Sequence, residues 1–294
     1  MENKGTAFCD VKGALKTLQH YERIPNSKDL LKLLTYQELA AIPINCKFVI
    51  YTNPTALSTV LKFERFYVSL KSNRWYWLFA LFCRISLAYA FIVAGMVKIL
   101  GERFASGLSP LHPMGAYLEA LHHTGYYYTF IGVAQVVAAV LLLIPRMVPL
   151  GALLYFPIIV NIWILSFAVR FEGSYVTAPL MVLANLFLLV WHYDRLKFLL
   201  PFRKYTHVGL FEKPTTYSNS FPWLFFIGVI ITVVLTVVWA EFGLEVMPRN
   251  SLSDCKKQFE HTKNEEAGFT FCECIHTNGA PLDACLSAFE SSKK

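Results

Sequence analysis

Charge is scarce in this chain of 294 residues: Asp, Glu, Lys and Arg make up 16% of it, against about 25% in a soluble domain. That leaves too little charged surface for a water-soluble fold of this length. A Gly-rich phosphate loop, a Ser-His-Asp arrangement and a Cys-x-x-Cys pair are all lacking. No two histidines stand where they would clamp a haem between spans. Nucleotide hydrolysis, triad hydrolysis and haem electron transfer therefore lose their usual carriers. The first 25 residues have no apolar signal stretch, so the first span is expected to act as its own signal-anchor. There is no internal repeat and no low-complexity run. Apolar surface is abundant instead: 55% hydrophobic residues, 24 Phe and a mean hydropathy of +0.43. The composition is that of an all-α, polytopic membrane protein with the lipid bilayer as its first partner.

Crossing about 30 Å of hydrocarbon takes roughly 20 apolar helical residues. Five segments qualify, at about 75–100, 126–144, 150–169, 176–191 and 221–242. Pro179 falls in the first turn of the fourth, where a missing N–H costs little. Pro157 is expected to bend the third rather than end it, because lipid offers the backbone no other partner. The domains read as an N-terminal region 1–72, a four-helix membrane core 73–200 with an outer loop 101–125, a basic loop 201–220, a fifth helix 221–242 and a tail 243–294.

Lys62, Arg65, Lys71 and Arg74 precede the first span, Arg146 lies between spans two and three, and Arg195, Lys197, Arg203, Lys204 and Lys213 follow span four. Basic short loops mark the cytoplasmic side. The expected topology is N-terminus inside and tail outside, in a cell inner membrane. The net charge of +7 is largely this loop bias and gives no reason to invoke nucleic acid.

Cysteine usage is an independent test of sidedness. Cys255, Cys272, Cys274 and Cys285 crowd the tail, where two disulfides would staple a domain too small for a self-sufficient core. Four cysteines allow three pairings, and Cys272-x-Cys274 is also compatible with a redox dithiol or a metal site. Phe259, Phe269, Phe271, Ile275, Leu282 and Leu286 are available as the tail's apolar core. In the N-terminal region the pattern predicts a helix at about 27–40, a strand-like run at 47–51 and a turn at Asn53-Pro54.

Polar residues inside spans are costly in lipid and usually face a cavity or another helix. Counted along their spans, Arg84, Gln135, Asn161 and Asn185 all fall near mid-depth, one on each of the first four helices. They predict a bundle with a shared polar centre and a fifth helix outside it. Interhelical hydrogen bonding alone would also use such residues. Arg84 has no Asp or Glu at its depth, so it calls for backbone carbonyls, water, or a ligand such as a quinone carbonyl or lipid headgroup.

The outer loop gathers Glu102, Arg103, His112, Glu119, His122 and His123 around a short interfacial helix at 114–121. Glu119 and His122 share a helix face at i, i+3, and His123 also reaches it at i+4. One Glu-x-x-His pair falls short of the doubled pairs of di-iron bundles, so no metal is assigned. Tyr126, Tyr127 and Tyr128 with Trp75, Trp77 and Trp191 read as an interfacial belt, and Lys98 as a snorkelling lysine.

Arg84, the run 94–99 (Ala-Gly-Met-Val-Lys-Ile), Gly132-Val133-Ala134-Gln135, the run 141–146 ending Pro145-Arg146, and the stretch 185–195 resemble the DoxX-like family of membrane proteins. The resemblance covers about residues 75–200 and implies a four-helix core. It implies membrane redox chemistry, as in relatives of the membrane subunit of a thiosulfate–quinone oxidoreductase. Fold alone does not fix function. Three functions follow as expectations. One is an accessory subunit of a quinone- or thiol-linked redox system, with membrane or extracytoplasmic subunits as partners. The second is a scaffold that recruits partners through its soluble ends. The third is a small-solute or proton pathway, weakened by the lack of inverted repeats.

Overall fold

The computed structural model describes residues 66–196 and 217–293. The helix, strand and turn expected between residues 27 and 54, and most of the basic loop, lie outside them. Among the described residues the protein is helical, and its one β feature is a parallel bridge between Asn73 and Ser218. Two compact units divide the chain, and the second, Trp75–Leu196 with Ser220–Lys294, carries the spans and the tail.

Five helices are long and apolar enough to cross a membrane. The first, α1, is Arg74–Ile99. A short helix α2, Pro113–His122, stands in the following loop. The second and third spans are α3, Tyr126–Leu143, and α4, Val148–Ala168. One turn, α5 (Glu172–Tyr175), leads into α6, Thr177–Trp191, and these two make up the fourth span. Another turn, α7, covers Tyr193–Leu196. The fifth span is α8, Trp223–Phe242. All five lie within a few residues of the hydropathy reading, which starts the fourth span at 176 where the structure adds Glu172–Tyr175.

One apolar core joins α1, α3, α4 and α6 through Leu87, Phe91, Ala138, Leu142, Ala152, Tyr155, Ile159 and Leu188. Close helix contact comes from glycine. A Cβ on Gly95 would lie 2.7 Å from the Gly132 carbonyl oxygen, and one on Gly132 would lie 2.7 Å from that of Gly95. Small residues at such crossings let backbones approach, which is how helices gain packing energy in lipid. By contrast α8 buries almost none of its length. Its start packs Phe225 against Tyr76, Phe79 and Phe187, and near its end Trp239 stacks on Phe167 and Tyr175.

The tail is helical, as its sequence suggests, in three pieces: α9 (Leu252–Lys257), α10 (Glu265–His276) and α11 (Leu282–Ser292). Of the three possible pairings it uses Cys255–Cys272 and Cys274–Cys285. Both disulfides enter a core with Phe259, Phe271, Ile275, Leu282 and Phe289, while Phe269 and Leu286 pack at its edge.

The tail sits on the loops before α2 and α5. Arg170 donates to the Val246 carbonyl at 2.6 Å, Arg249 pairs with Glu172 at 2.9 Å, and Gly279 abuts Leu111. At the opposite end, Arg195 donates to the Arg146 carbonyl. The loops therefore group as the charge bias sorts them: the sparsely basic ones with the tail, and two basic ones together.

Candidate functional site

The four polar residues of the core do not converge on one centre. Arg84 caps the end of α3, donating from Nε to the Leu142 carbonyl at 2.9 Å and from Nη2 to that of Leu143 at 3.0 Å. The last carbonyls of any helix lack intrahelical partners, and a cation there also complements the helix dipole. That resolves the cation without a carboxylate. Asn185 is fully buried and donates from Nδ2 to the Ala152 carbonyl at 3.1 Å, tying α6 to α4. Gly151 abuts Leu141 and Leu142, so Asn185 and Arg84 share a depth near the end of α3.

Gln135 lies seven residues earlier on α3, about 10 Å away along the axis. It is 1% exposed, and its Oε1 has no hydrogen-bond donor among the described residues. The Oδ1 of Asn185 and the Nε1 of Trp163 are likewise buried without partners. Between these depths Phe91 stacks on Tyr155 with centroids 3.5 Å apart, and the Tyr155 hydroxyl donates to the Leu87 carbonyl.

Asn161 departs from expectation and is exposed. The buried stripe of α4 runs through Val148, Ala152, Tyr155, Ile159 and Ser166. Asn161 stands two residues past Ile159, about 200° round the helix, and so faces away from the core.

The outer loop is organised by Arg103. Its guanidinium pairs with Glu119 at 2.8 Å and donates to the carbonyls of Ser106 and Leu108. Glu119 also meets His123 at 3.6 Å, four residues on, whereas the expected i+3 partner His122 turns to Tyr128 with centroids 5.3 Å apart. Among the described residues no group of three His, Cys, Asp or Glu is placed to hold a metal ion. Glu102 contributes its carbonyl, which accepts from the Tyr128 hydroxyl at 2.9 Å, and that hydroxyl accepts from the Phe104 amide at 2.8 Å. Tyr128 is thus a buried strut, while Tyr126 and Tyr127 stay exposed as a belt residue should.

His112 is the N-cap of α2 and is 1% exposed. Its Nδ1 accepts from the Met114 amide at 3.1 Å, so the neutral ring carries its proton on Nε2, facing the Arg249 carbonyl. His276 of the tail lies 5.8 Å away and bonds the Pro248 carbonyl. Burial, with help from the charge on His276, pushes the His112 pKa down to about 4. The unfolded ring titrates near 6.5, so below that pH the unfolded state binds more protons. Stability from this contact is complete above about pH 6.5 and declines as pH falls toward 4. Hydrogen exchange over residues 112–122, corrected for intrinsic rates, should show weaker protection at about pH 5 than at about pH 7.5. His112→Asn keeps a capping side chain and should remove that difference; equal protection in the wild type would refute the coupling.

Lys98 departs from the snorkelling role that the sequence suggests. At 6% exposure its ammonium donates to the Ala94 carbonyl, one turn back along α1, and lies 4.5 Å from the centre of the Phe104 ring. No carboxylate is within ion-pair distance among the described residues. A signal was present in the periodicity: Leu87, Phe91, Gly95 and Lys98 form one buried stripe.

No family model matches the chain, and no solved structure does. A protein of Bacillus subtilis (strain 168), described as uncharacterized protein YwoB, is 35% identical over 126 residues, covering 41% of this chain and 80% of that protein.

Proposed function

We propose that this chain, which belongs to the same family as the Bacillus subtilis protein YwoB, is an accessory subunit of a membrane redox system whose helical core holds a quinone-type ring. One observation carries the reading. Gln135, buried at the centre of α3, leaves its amide oxygen without a donor, and a buried acceptor left unmade costs about 1–3 kcal/mol. A quinol hydroxyl would satisfy it. The DoxX-like resemblance of residues 75–200 supplies the redox theme by analogy. In this reading the N-terminus is cytoplasmic and the disulfide-bonded tail faces an oxidising exterior, where electron-donating subunits dock.

The test is purification in mild detergent, then organic extraction and quantification of quinone together with identification of co-purifying subunits. Quinone near one mole per mole of folded protein is expected. Less than about a tenth of that, with only bulk phospholipid recovered, overturns the redox reading.

A second reading is favoured by the tail itself. Three helices held by two disulfides and clamped to the membrane core through Arg170 and Arg249 make a rigid platform. A scaffold would use that platform to recruit partners without binding a ring. Co-purifying subunits without quinone would favour it.

A further inference from the structure

We infer that the lipid-facing side of α4 docks a second copy of this chain, with Asn161 of each copy hydrogen-bonding Asn161 of the other. The inference is independent of ring binding and rests on α4 alone.

The physical problem is an amide in hydrocarbon. Asn161 is exposed and stands seven residues before the end of α4, about 10 Å along the axis, further than its short side chain reaches toward water. An amide without partners in an apolar medium is costly. Among the described residues nothing partners the side-chain amide of Asn161. Lipid-side hydroxyls behave differently: Thr232 and Thr236 on α8 donate to the carbonyls of Gly228 and Thr232, each at 2.8 Å. Those side chains close on their own helix, and Asn161 does not.

The face around Asn161 is patterned. Leu150, Leu154, Pro157, Asn161, Ile164 and Ala168 are all exposed, at successive spacings of four, three, four, three and four residues. At about 100° per residue they fall within a band about 80° wide, opposite the buried stripe through Tyr155 and Ile159. Alternating steps of three and four are the repeat with which one helix follows another along a seam.

Self-complementarity selects the occupant. Copies inserted in one orientation run parallel, so a two-fold axis along the membrane normal sets each position of this face beside its own equivalent. An amide both donates and accepts, so two Asn161 side chains answer each other at one depth. One asparagine in an otherwise apolar seam is also the device that fixes register and strand number in paired helices. A charged partner has no counterpart, since α4 contains no Asp, Glu, Lys or Arg, and a lipid tail offers no hydrogen bond.

The test reconstitutes full-length protein, carrying donor or acceptor dye at its C-terminus, in phosphatidylcholine liposomes and reads energy transfer as lipid dilutes it. Wild type should self-associate. Asn161→Leu should need about ten times more protein per lipid for the same transfer, whereas Asn161→Gln, which keeps the amide, should stay within about threefold of wild type. Because the side chain faces outward, the thermal midpoint of monomeric Asn161→Leu should lie within roughly 2 °C of wild type, so lost association is not lost fold. Oxidative cross-linking of Ile164→Cys, with Leu183→Cys on the exposed side of α6 as control and wild type as background, locates the contact. It carries the test if Asn161→Leu does not fold.

Wild type that stays monomeric at every dilution overturns the pairing. So does equal association of wild type and Asn161→Leu, or cross-linking through Leu183→Cys alone. Cross-linking of Ile164→Cys in native membranes to a different polypeptide, with none to itself, would give the face to another subunit and overturn the second copy.

Discussion

Replacing Arg84 with alanine is expected to lower the stability of the helical core by about 3–6 kcal/mol, since two hydrogen bonds from a charged donor are each worth about 1.5–3. The guanidinium closes the Leu142 and Leu143 carbonyls at the end of α3. The last carbonyls of a helix have no intrahelical donor, so Arg84 supplies what the end of α3 lacks. Arg84→Gln should lose about half as much, because one amide can serve one carbonyl. Unfolding by denaturant in a fixed detergent, followed by tryptophan fluorescence, measures both. A change below about 1 kcal/mol for alanine would show that the cap contributes little. The same variants should keep whatever ring the core holds, because Arg84 lies about 10 Å from Gln135 along α3.

Reducing the tail disulfides is expected to unfold α9–α11 while leaving the spans folded. The bridges close sequence separations of 17 and 11 residues, and chain-entropy estimates give about 3 kcal/mol for each. A domain of this size buries too little apolar surface to fold without staples, and Cys255, Cys272 and Cys285 are themselves core residues. Loss of the tail should also loosen α2, whose start meets it through Leu111 and His112. Hydrogen exchange of the full chain before and after a dithiol reductant is the check. Collapse of protection across 252–292, with partial loss over 112–122 and none in α3 or α4, is the expected pattern. A reduced tail that keeps its protection would contradict the dependence on disulfides.

The spans were legible because the bilayer imposes their length and composition. About 20 apolar residues in a row locate five helices without reference to packing. The site was less legible, and the reason is angular. Counting depth along a span puts Asn161 beside Gln135, yet depth ignores the 100° turned by each helical residue. Asn161 falls off the stripe that Tyr155 and Ile159 define, while Gln135, Asn185 and Lys98 fall on theirs. A periodicity reading would have removed the first and promoted the last. For Arg84 the sequence left backbone carbonyls, water and a ligand open, because where α3 ends against α1 is a matter of tertiary register. The choice of Cys255–Cys272 and Cys274–Cys285 is of the same kind, since only the packing of α9 and α11 on α10 brings those partners together.

The central proposal is that the helical core binds a quinone-type ring through Gln135 and not through Arg84. Organic extraction of protein purified from membranes, with quinone counted per mole of folded chain, tests it most directly when wild type, Arg84→Gln and Gln135→Leu are run side by side. Near-stoichiometric quinone in wild type and Arg84→Gln, with at least a tenfold drop in Gln135→Leu, is the predicted result. Equal quinone content in wild type and Gln135→Leu, or loss only in Arg84→Gln, would contradict it.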